Sequence, residues 1–359
     1  MKPMEILRLL VESKSCGKED ANSLLEKMIP FLDGYSIKKY FFEGYSSIYA
    51  SLGNNLRPKI LFLGHLDTVD AKGWKNSDPF RLETNGTRAY GLGIYDMKAG
   101  VAAMIHLAKI FPKENLGYLF VTDEEMGGFS GAAKLAEKIN PEFVIALEPT
   151  GLAIELAAKG VLNIKIISRG LSAHSSMPEK GANAIEKLSE YIAEIKKLPF
   201  LNQKNRLLGS STMSQTIIKC PNERENQIPD YCETLVNIRY IPEQDKEKIT
   251  KLLVKKAKQF SKKGLEIAVE PSQICGYPVQ TDKNNIYAKL LASAIKSELG
   301  KVGYVGNAGA SDARFFAERK IPVTCFGPAG GEMHAPHEWL DLKKYEKYIK
   351  ILEKFVKSI

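Results

Sequence analysis

The chain has no C-x-x-C pair and no apolar run approaching the length of a membrane span. It also lacks RNP-like, zinc-finger and Arg-rich recognition elements. Each absence removes a class of protein. Its five cysteines (Cys16, Cys220, Cys232, Cys275, Cys325) are scattered and odd in number, which fits reduced thiols in a cytosol better than a disulfide frame or a thiolate zinc site. Without ~18 to 20 consecutive apolar residues no transmembrane helix is expected. The amino-terminal M-K-P-M-E-I-L-R-L-L-V-E carries Glu5 and Arg8 inside its apolar pattern, the mark of an amphipathic helix rather than a secretory signal. A cytoplasmic protein without a membrane partner is therefore expected. The net charge of +9 has no recognition motif to go with it, so a nucleic-acid partner is not expected either. Between residues 160 and 270, 19 Lys and Arg stand against 13 Asp and Glu. Much of this excess lies in one Lys-rich helix at 244–263, which reads as a solvated face.

What is present is an ordinary globular composition, 44% hydrophobic and 26% charged over 359 residues, enough for two domains and a substantial core. Helical periodicity covers 2–14 and 20–33, followed by strand-like runs at 36–42 and 46–52. The stretch I-L-F-L-G-H-L-D-T-V (60–69) has four continuous apolar residues before Gly64, the pattern of a central strand buried on both faces. After an irregular connection at 71–95, residues 97–110 read as a helix with Asp96 at its start, where a carboxylate is favoured. L-G-Y-L-F-V-T (116–122) is a buried strand ending in D-E-E, 129–139 a helix, and F-V-I-A-L (143–147) a strand ending in Glu148. Strands alternating with helices imply an α/β fold, a mostly parallel sheet flanked by helices.

From about residue 160 the order becomes strand, helix, strand, strand, helix, strand, which is that of a ferredoxin-like α+β domain. Alternating patterns resume after Pro271, with helices at 283–299 and 341–357 and an apolar run at 322–327. The expected division is 1–159 and 271–359 for the first domain, interrupted by an inserted domain at 160–270.

His65, Asp96, Glu124, Glu125, Glu148 and His334 are candidate metal ligands, most of them after apolar strand-like runs. Ligands bind at the carboxyl ends of strands in open α/β sheets, and imidazole with carboxylate suits zinc or a similar divalent ion. Asp67, two residues past His65, suits an acid that holds the second ring nitrogen. Five protein ligands exceed one tetrahedral site but suffice for two metals that share a carboxylate. Of the neighbours Glu124 and Glu125, one would ligate and the other take a proton. His106, inside the apolar helix, reads as packing or solvent-facing.

Nine segments in one order then carry a resemblance over nearly the whole chain: G-H-L-D-T-V (64–69), G-L-G-I-Y-D-M-K-A-G (91–100), T-D-E-E-M-G (122–127), L-E-P-T (147–150), L-S-A-H-S-S (171–176), N-Q-I-P-D (226–230), N-I-R-Y (237–240), A-S-D-A-R-F (310–315) and M-H-A-P-H-E (333–338). The chain resembles the two-zinc exopeptidases and deacylases that include succinyl-diaminopimelate desuccinylase, acetylornithine deacetylase, aminoacylase and glutamate-releasing carboxypeptidases. The resemblance implies a catalytic domain with an inserted lid that mediates homodimerisation, and two Zn2+ per subunit, replaceable by Co2+. It implies that His65 and Glu148 hold one zinc, Glu125 and His334 the other, and Asp96 both. It makes Asp67 the residue that orients His65 and Glu124 the general base, and it favours His334 over His337 as ligand. It also implies that His174 crosses from the partner subunit to hydrogen-bond the oxyanion, and that Asn226, Arg239 and Arg314 clamp a substrate carboxylate, work suited to the planar guanidinium fork.

The expected activity is metal-dependent hydrolysis of the amide of an N-acyl amino acid or short peptide. N-I-R-Y and S-D-A-R-F look most like the desuccinylases, which ranks N-succinyl-diaminopimelate first as substrate. Acetylornithine deacetylase, another N-acyl amino acid amidohydrolase or a small-peptide carboxypeptidase is the alternative. The segment C-P-N-E-R-E-N-Q (220–227) lacks the Gly-rich lead-in common in desuccinylases and leaves the acyl group open. A catalytically silent metal- or peptide-binding scaffold would show a lost base or ligand, and none is lost.

Overall fold

The computed structural model describes residues 2–74, 77–261 and 265–359, the side chains of 273–275 excepted. The thiol of Cys275 and the end of the expected 244–263 helix lie outside the described residues. The chain divides into two compact units, one of Met1–Ala157, Gln280–Gly306 and Ser311–Ile359, the other of Ala158–Val279 and Asn307–Ala310.

In the first unit the all-apolar runs become the middle of a large sheet. Ile60–His65 lies between Leu116–Val121 and Phe143–Ala146, parallel to both, and Val323–Cys325 continues the parallel set beyond Phe143–Ala146. Antiparallel strands flank this centre. The hairpin Ser36–Phe42/Tyr45–Ser51 joins at Leu116–Val121, and Ile154–Ala158 joins at Val323–Cys325. Ile60, Leu61 and Phe62 have no exposed surface. Burial of each such side chain stabilises the fold by roughly 1.5–3 kcal/mol. Among the helices, Ala99–Ile110 is apolar nearly all round and buries nine of its residues, as expected of a helix enclosed by core. Gly100 allows its close approach, because a Cβ there would lie 2.5 Å from the Leu147 carbonyl oxygen. The closing helix Leu342–Lys357 buries Tyr345, Tyr348, Leu352 and Phe355 along one stripe; Asp341 caps its start, accepting from the Lys344 N–H at 3.0 Å.

One expected helix of this unit is shorter. The helix expected at 129–139 shrinks to Ala132–Ala136, because Gly131 just before it, at φ −94° and ψ −95°, is outside helical dihedrals; the Asp123 carboxylate accepts the Ser130 and Gly131 N–H groups there at 2.8 and 2.9 Å. The irregular stretch 71–95 holds two short strands, Glu83–Asn85 and Arg88–Tyr90, which form a small antiparallel sheet with Trp339–Asp341 and Gly330–Gly331.

The second unit has the strands Gly160–Arg169, Thr212–Lys219, Tyr231–Tyr240 and Glu266–Gly276 and the helices Ala184–Ile195 and Lys246–Phe260. Taken in chain order, the strands lie second, third, first, fourth across an antiparallel sheet, the ferredoxin-like arrangement. Tyr231–Tyr240 alternates buried and half-buried positions throughout, and Val236 and Ile238 share a core with Tyr191, Ile192 and Leu253 of the two helices. The last strand runs through Pro271 rather than ending before it. A proline without an amide donor is tolerated there because the strand is at the sheet edge and its register shifts after Pro271. Among the described residues, no helix is long and apolar enough to cross a membrane.

Candidate metal centre

Parallel register brings three strand ends side by side. His65 is the last residue of the central strand and pairs with Val121 on one side, while Leu63 pairs with Ala146 on the other. The residues that follow Val121 and Ala146 therefore flank His65. Those residues include Glu124, Glu125 and Glu148. Asp123 carbonyl accepts the Met126 and Gly128 N–H groups at 3.2 and 2.7 Å, and Glu124 carbonyl that of Gly127 at 2.7 Å.

Asp96 arrives differently from expectation. The helix starts at Ala99, and Ile94–Lys98 is an irregular turn in which Asp96 (φ −116°, ψ 99°) and Met97 (φ −127°, ψ 37°) leave helical dihedrals. The Asp96–Met97 peptide is cis. Asp96 is not a helix cap. Its carboxylate lies between two imidazoles, with Oδ1 3.4 Å from His65 Nε2 and Oδ2 3.0 Å from His334 Nε2. His334, in the loop after Gly330–Gly331, also stands 3.0 Å from Glu125 Oε1.

Among the described residues, two groups hold ligand atoms all within 4.8 Å of one another: His65, Asp96 and Glu148, and Asp96, Glu125 and His334. Asp96 belongs to both. The first is the more enclosed, with the His65 side chain only 2% accessible against 45% for His334. His65 Nδ1 lies 2.9 Å from the Asp67 carbonyl and 3.5 Å from its carboxylate, so the shorter contact is the backbone one, and Nε2 is left facing Asp96. Asp67 acts on the other side too, since its Oδ2 accepts the Glu125 N–H at 2.9 Å.

The electrostatics show what this hollow asks for. Burial pulls the His65 pKa down, but hydrogen bonds to Asp67 and Asp96 and the charge of Glu148 outweigh it, so the imidazole is held well above its ordinary value. Hydrogen bonds to Asp96 and Glu125 raise His334 to about 10. Burial raises Glu124 to about 7, with Asp96 and Glu125 adding to it, and burial followed by Asp96 raises Glu148 well above the carboxylate range. Carboxylates crowded at low dielectric draw protons onto themselves and onto both imidazoles, which is the condition that bound cations relieve. A donor set of imidazole and carboxylate without thiolate fits two divalent ions of the zinc type.

The remaining site candidates lie as follows. His337 is exposed and faces Trp74, ring centres 6.3 Å apart, outside both ligand groups. His106 pairs with Glu353 at 2.8 Å. Arg314 is buried, donates to the Ser311 and Gly127 carbonyls at 2.9 and 2.5 Å, and lies over the Phe315 ring. In the second unit His174 is exposed, its Nδ1 2.8 Å from Ser176 Oγ. Asn226 is exposed and its carbonyl accepts the Ser175 N–H. Arg239 donates from Nε to Asn237 Oδ1 at 3.1 Å.

Sequence reading passed over two acids beside the ligands. Glu338, the last residue of M-H-A-P-H-E, is buried and bonded to the Asp96 turn. Asp312 in S-D-A-R-F is 2% exposed, and burial together with Glu124 raises it well above the usual range. Gly128, at φ +68°, is required beside it, because a Cβ would come within 1.9 Å of Asp312 Oδ1. The available signal was position: each acid sits inside a segment singled out for another residue.

Residues 61–358 match Peptidase family M20/M25/M40, and the chain belongs to this family of metal-dependent hydrolases. It is 28% identical over 375 residues, the whole of both chains, to the succinyl-diaminopimelate desuccinylase of Nautilia profundicola. An M20 family metallo-carboxypeptidase of Sulfolobus solfataricus, 22% identical, has the same fold with a TM-score of 0.77 over 99% of each chain. A dinuclear metal-binding M20 peptidase of Bacillus subtilis, 15% identical, matches with a TM-score of 0.71 over 99% of this chain and 96% of that one.

Proposed function

We propose that the protein is a two-zinc deacylase that hydrolyses the amide of an N-acyl amino acid, with N-succinyl-diaminopimelate the first candidate substrate. The observation that carries this reading is the sharing of Asp96 between two imidazole–carboxylate groups. In it His65 and Glu148 would hold one ion and Glu125 and His334 the other, with Asp96 shared by both groups; Co2+ is expected to replace Zn2+. The likeness to the Nautilia enzyme over the whole chain supports the substrate. An acetylornithine deacetylase, another amidohydrolase or a small-peptide carboxypeptidase would use the same centre.

When bound, two such cations would supply Lewis acidity toward the amide carbonyl and a lowered pKa for water between them. The chain's own residues do the rest. Glu124, left out of both ligand groups, takes the proton of the attacking water and returns it to the departing amine. Asp67 fixes His65 through its carbonyl and Glu125 through its carboxylate. His174, reaching the site of a partner copy, stabilises the oxyanion. Asn226, Arg239 and Arg314 contact the substrate carboxylate, Arg314 with donors already committed to the carbonyls of Ser311 and Gly127. A homodimer through the second unit is supported by its edge strand Thr212–Lys219, which exposes Ile217 and Ile218 at 49% and 62%. Such an edge is a template for strand addition. Free thiols at Cys16, Cys220, Cys232 and Cys325 support residence in the cytoplasm.

The test is turnover of N-succinyl, N-acetyl and dipeptide substrates by the zinc and cobalt forms. The highest kcat/KM is expected on N-succinyl-diaminopimelate, with complete loss on chelation. Preference for dipeptides would replace the deacylase reading by a peptidase one, and chelator-resistant hydrolysis would refute the metal scheme.

A further inference from the structure

Asp96 is delivered by a backbone turn that cannot satisfy itself. Asp96 and Met97 are out of helical dihedrals, so the N–H groups around them need partners from elsewhere, and at this depth an unmet N–H is costly. Glu338 meets three of them. Its Oε2 accepts the Gly93 N–H at 2.7 Å, and its Oε1 accepts those of Tyr95 and Asp96 at 2.7 and 2.9 Å. The carboxylate is spent on the backbone, with the residue 2% exposed. Gly93 is required at the head of the turn, at φ +73° with a Cβ position 2.5 Å from Thr68 Cγ2.

We propose that Glu338 is a positioning residue for the metal pair: by gripping the N–H groups of Gly93, Tyr95 and Asp96 it fixes the direction in which the shared carboxylate meets His65 and His334. This rests on the two-metal reading above. Glu338 touches neither substrate nor ion, and acts through the main chain of Asp96. Its geometry also explains why a carboxylate is needed. A glutamine must place an NH2 where one oxygen stood, so an N–H donor would face another donor at Gly93, or at Tyr95 and Asp96 together. Glu338→Gln therefore keeps at most two of the three bonds, and Glu338→Ala keeps none.

The experiment is zinc and cobalt binding to Glu338→Gln and Glu338→Ala, by equilibrium dialysis and by the visible spectrum of the cobalt form, beside the melting temperature of the metal-stripped proteins. Loss of such outer contacts weakens metal affinity by ~10–100-fold. The expected result is a weakening in that range for at least one ion, larger for Ala than for Gln, with a changed cobalt spectrum. A variant that melts earlier yet keeps wild-type affinities and spectrum would overturn the proposal, leaving Glu338 a stabilising acid only. If neither variant folds, amide exchange in the wild type decides: Tyr95 and Asp96 amides should be strongly protected, and exchange at unstructured-peptide rates would overturn the inference. Should the wild type itself bind fewer than two ions, the two-metal reading fails, an outcome distinct from two ions bound equally by wild type and variants.

Discussion

Lys98 gives the most quantitative test of the packing around the centre. It has no exposed surface, and its Nζ donates to the Ser13 carbonyl at 3.3 Å. Burial lowers its pKa from 10.5 to about 8, while Cys16 and Glu338 pull the other way. The unfolded chain thus binds more protons than the folded one between those two values, and stability contributed by this group rises with pH across that window. Below about pH 8 the penalty is complete, roughly 3 kcal/mol, and above about 10.5 it vanishes. Lys98→Met keeps the length and removes the charge. At pH 7 the variant should gain those roughly 3 kcal/mol less about 1 for the lost hydrogen bond to Ser13. By pH 10 the charge-dependent part should fall to about 1 kcal/mol, so the difference between variant and wild type drops by about 2. Urea unfolding of chelator-treated protein, followed by tryptophan fluorescence, is the assay. Both tryptophans, Trp74 and Trp339, lie in the first unit and report on it alone. A stability difference that does not change between pH 7 and 10 would refute the argument.

Other predictions concern the centre and the second unit. Glu124→Gln should keep two ions while kcat falls by ~10² or more; normal turnover would remove Glu124 from the mechanism. His334→Ala should lose one ion by elemental analysis and His337→Ala should retain both, and the reverse would exchange their roles. Ile218→Lys, which puts a charge on the exposed edge strand, should convert a dimer to monomer in sedimentation without altering metal content; an unchanged dimer would move the interface elsewhere.

How much of this was legible in the sequence depends on how local the cause is. Ile60–Leu63, Leu116–Val121 and Phe143–Ala146 announce themselves because parallel strands buried on both faces are apolar without interruption, and the acids at their ends follow. Alternation in Tyr231–Tyr240 exposes the second unit in the same way. The turn at Asp96 has no such signature, since its shape is held by Glu338 from 242 residues away. Arg88–Tyr90 and Trp339–Asp341 are three residues each, too short to show a period, and exist only as partners. The expected helix at 129–139 is shorter because the backbone at Gly131 is not helical, a local break that periodicity does not record. Lys98 looks like any helix-face lysine in D-M-K, and only the packed structure shows it enclosed.

The most direct test of the central claim is an anomalous-scattering map at the zinc edge from crystals of the zinc-loaded enzyme. Two peaks are predicted, one among His65, Asp96 and Glu148 and one among Asp96, Glu125 and His334. A single peak, or peaks away from Asp96, in protein that still hydrolyses its substrate would contradict the account.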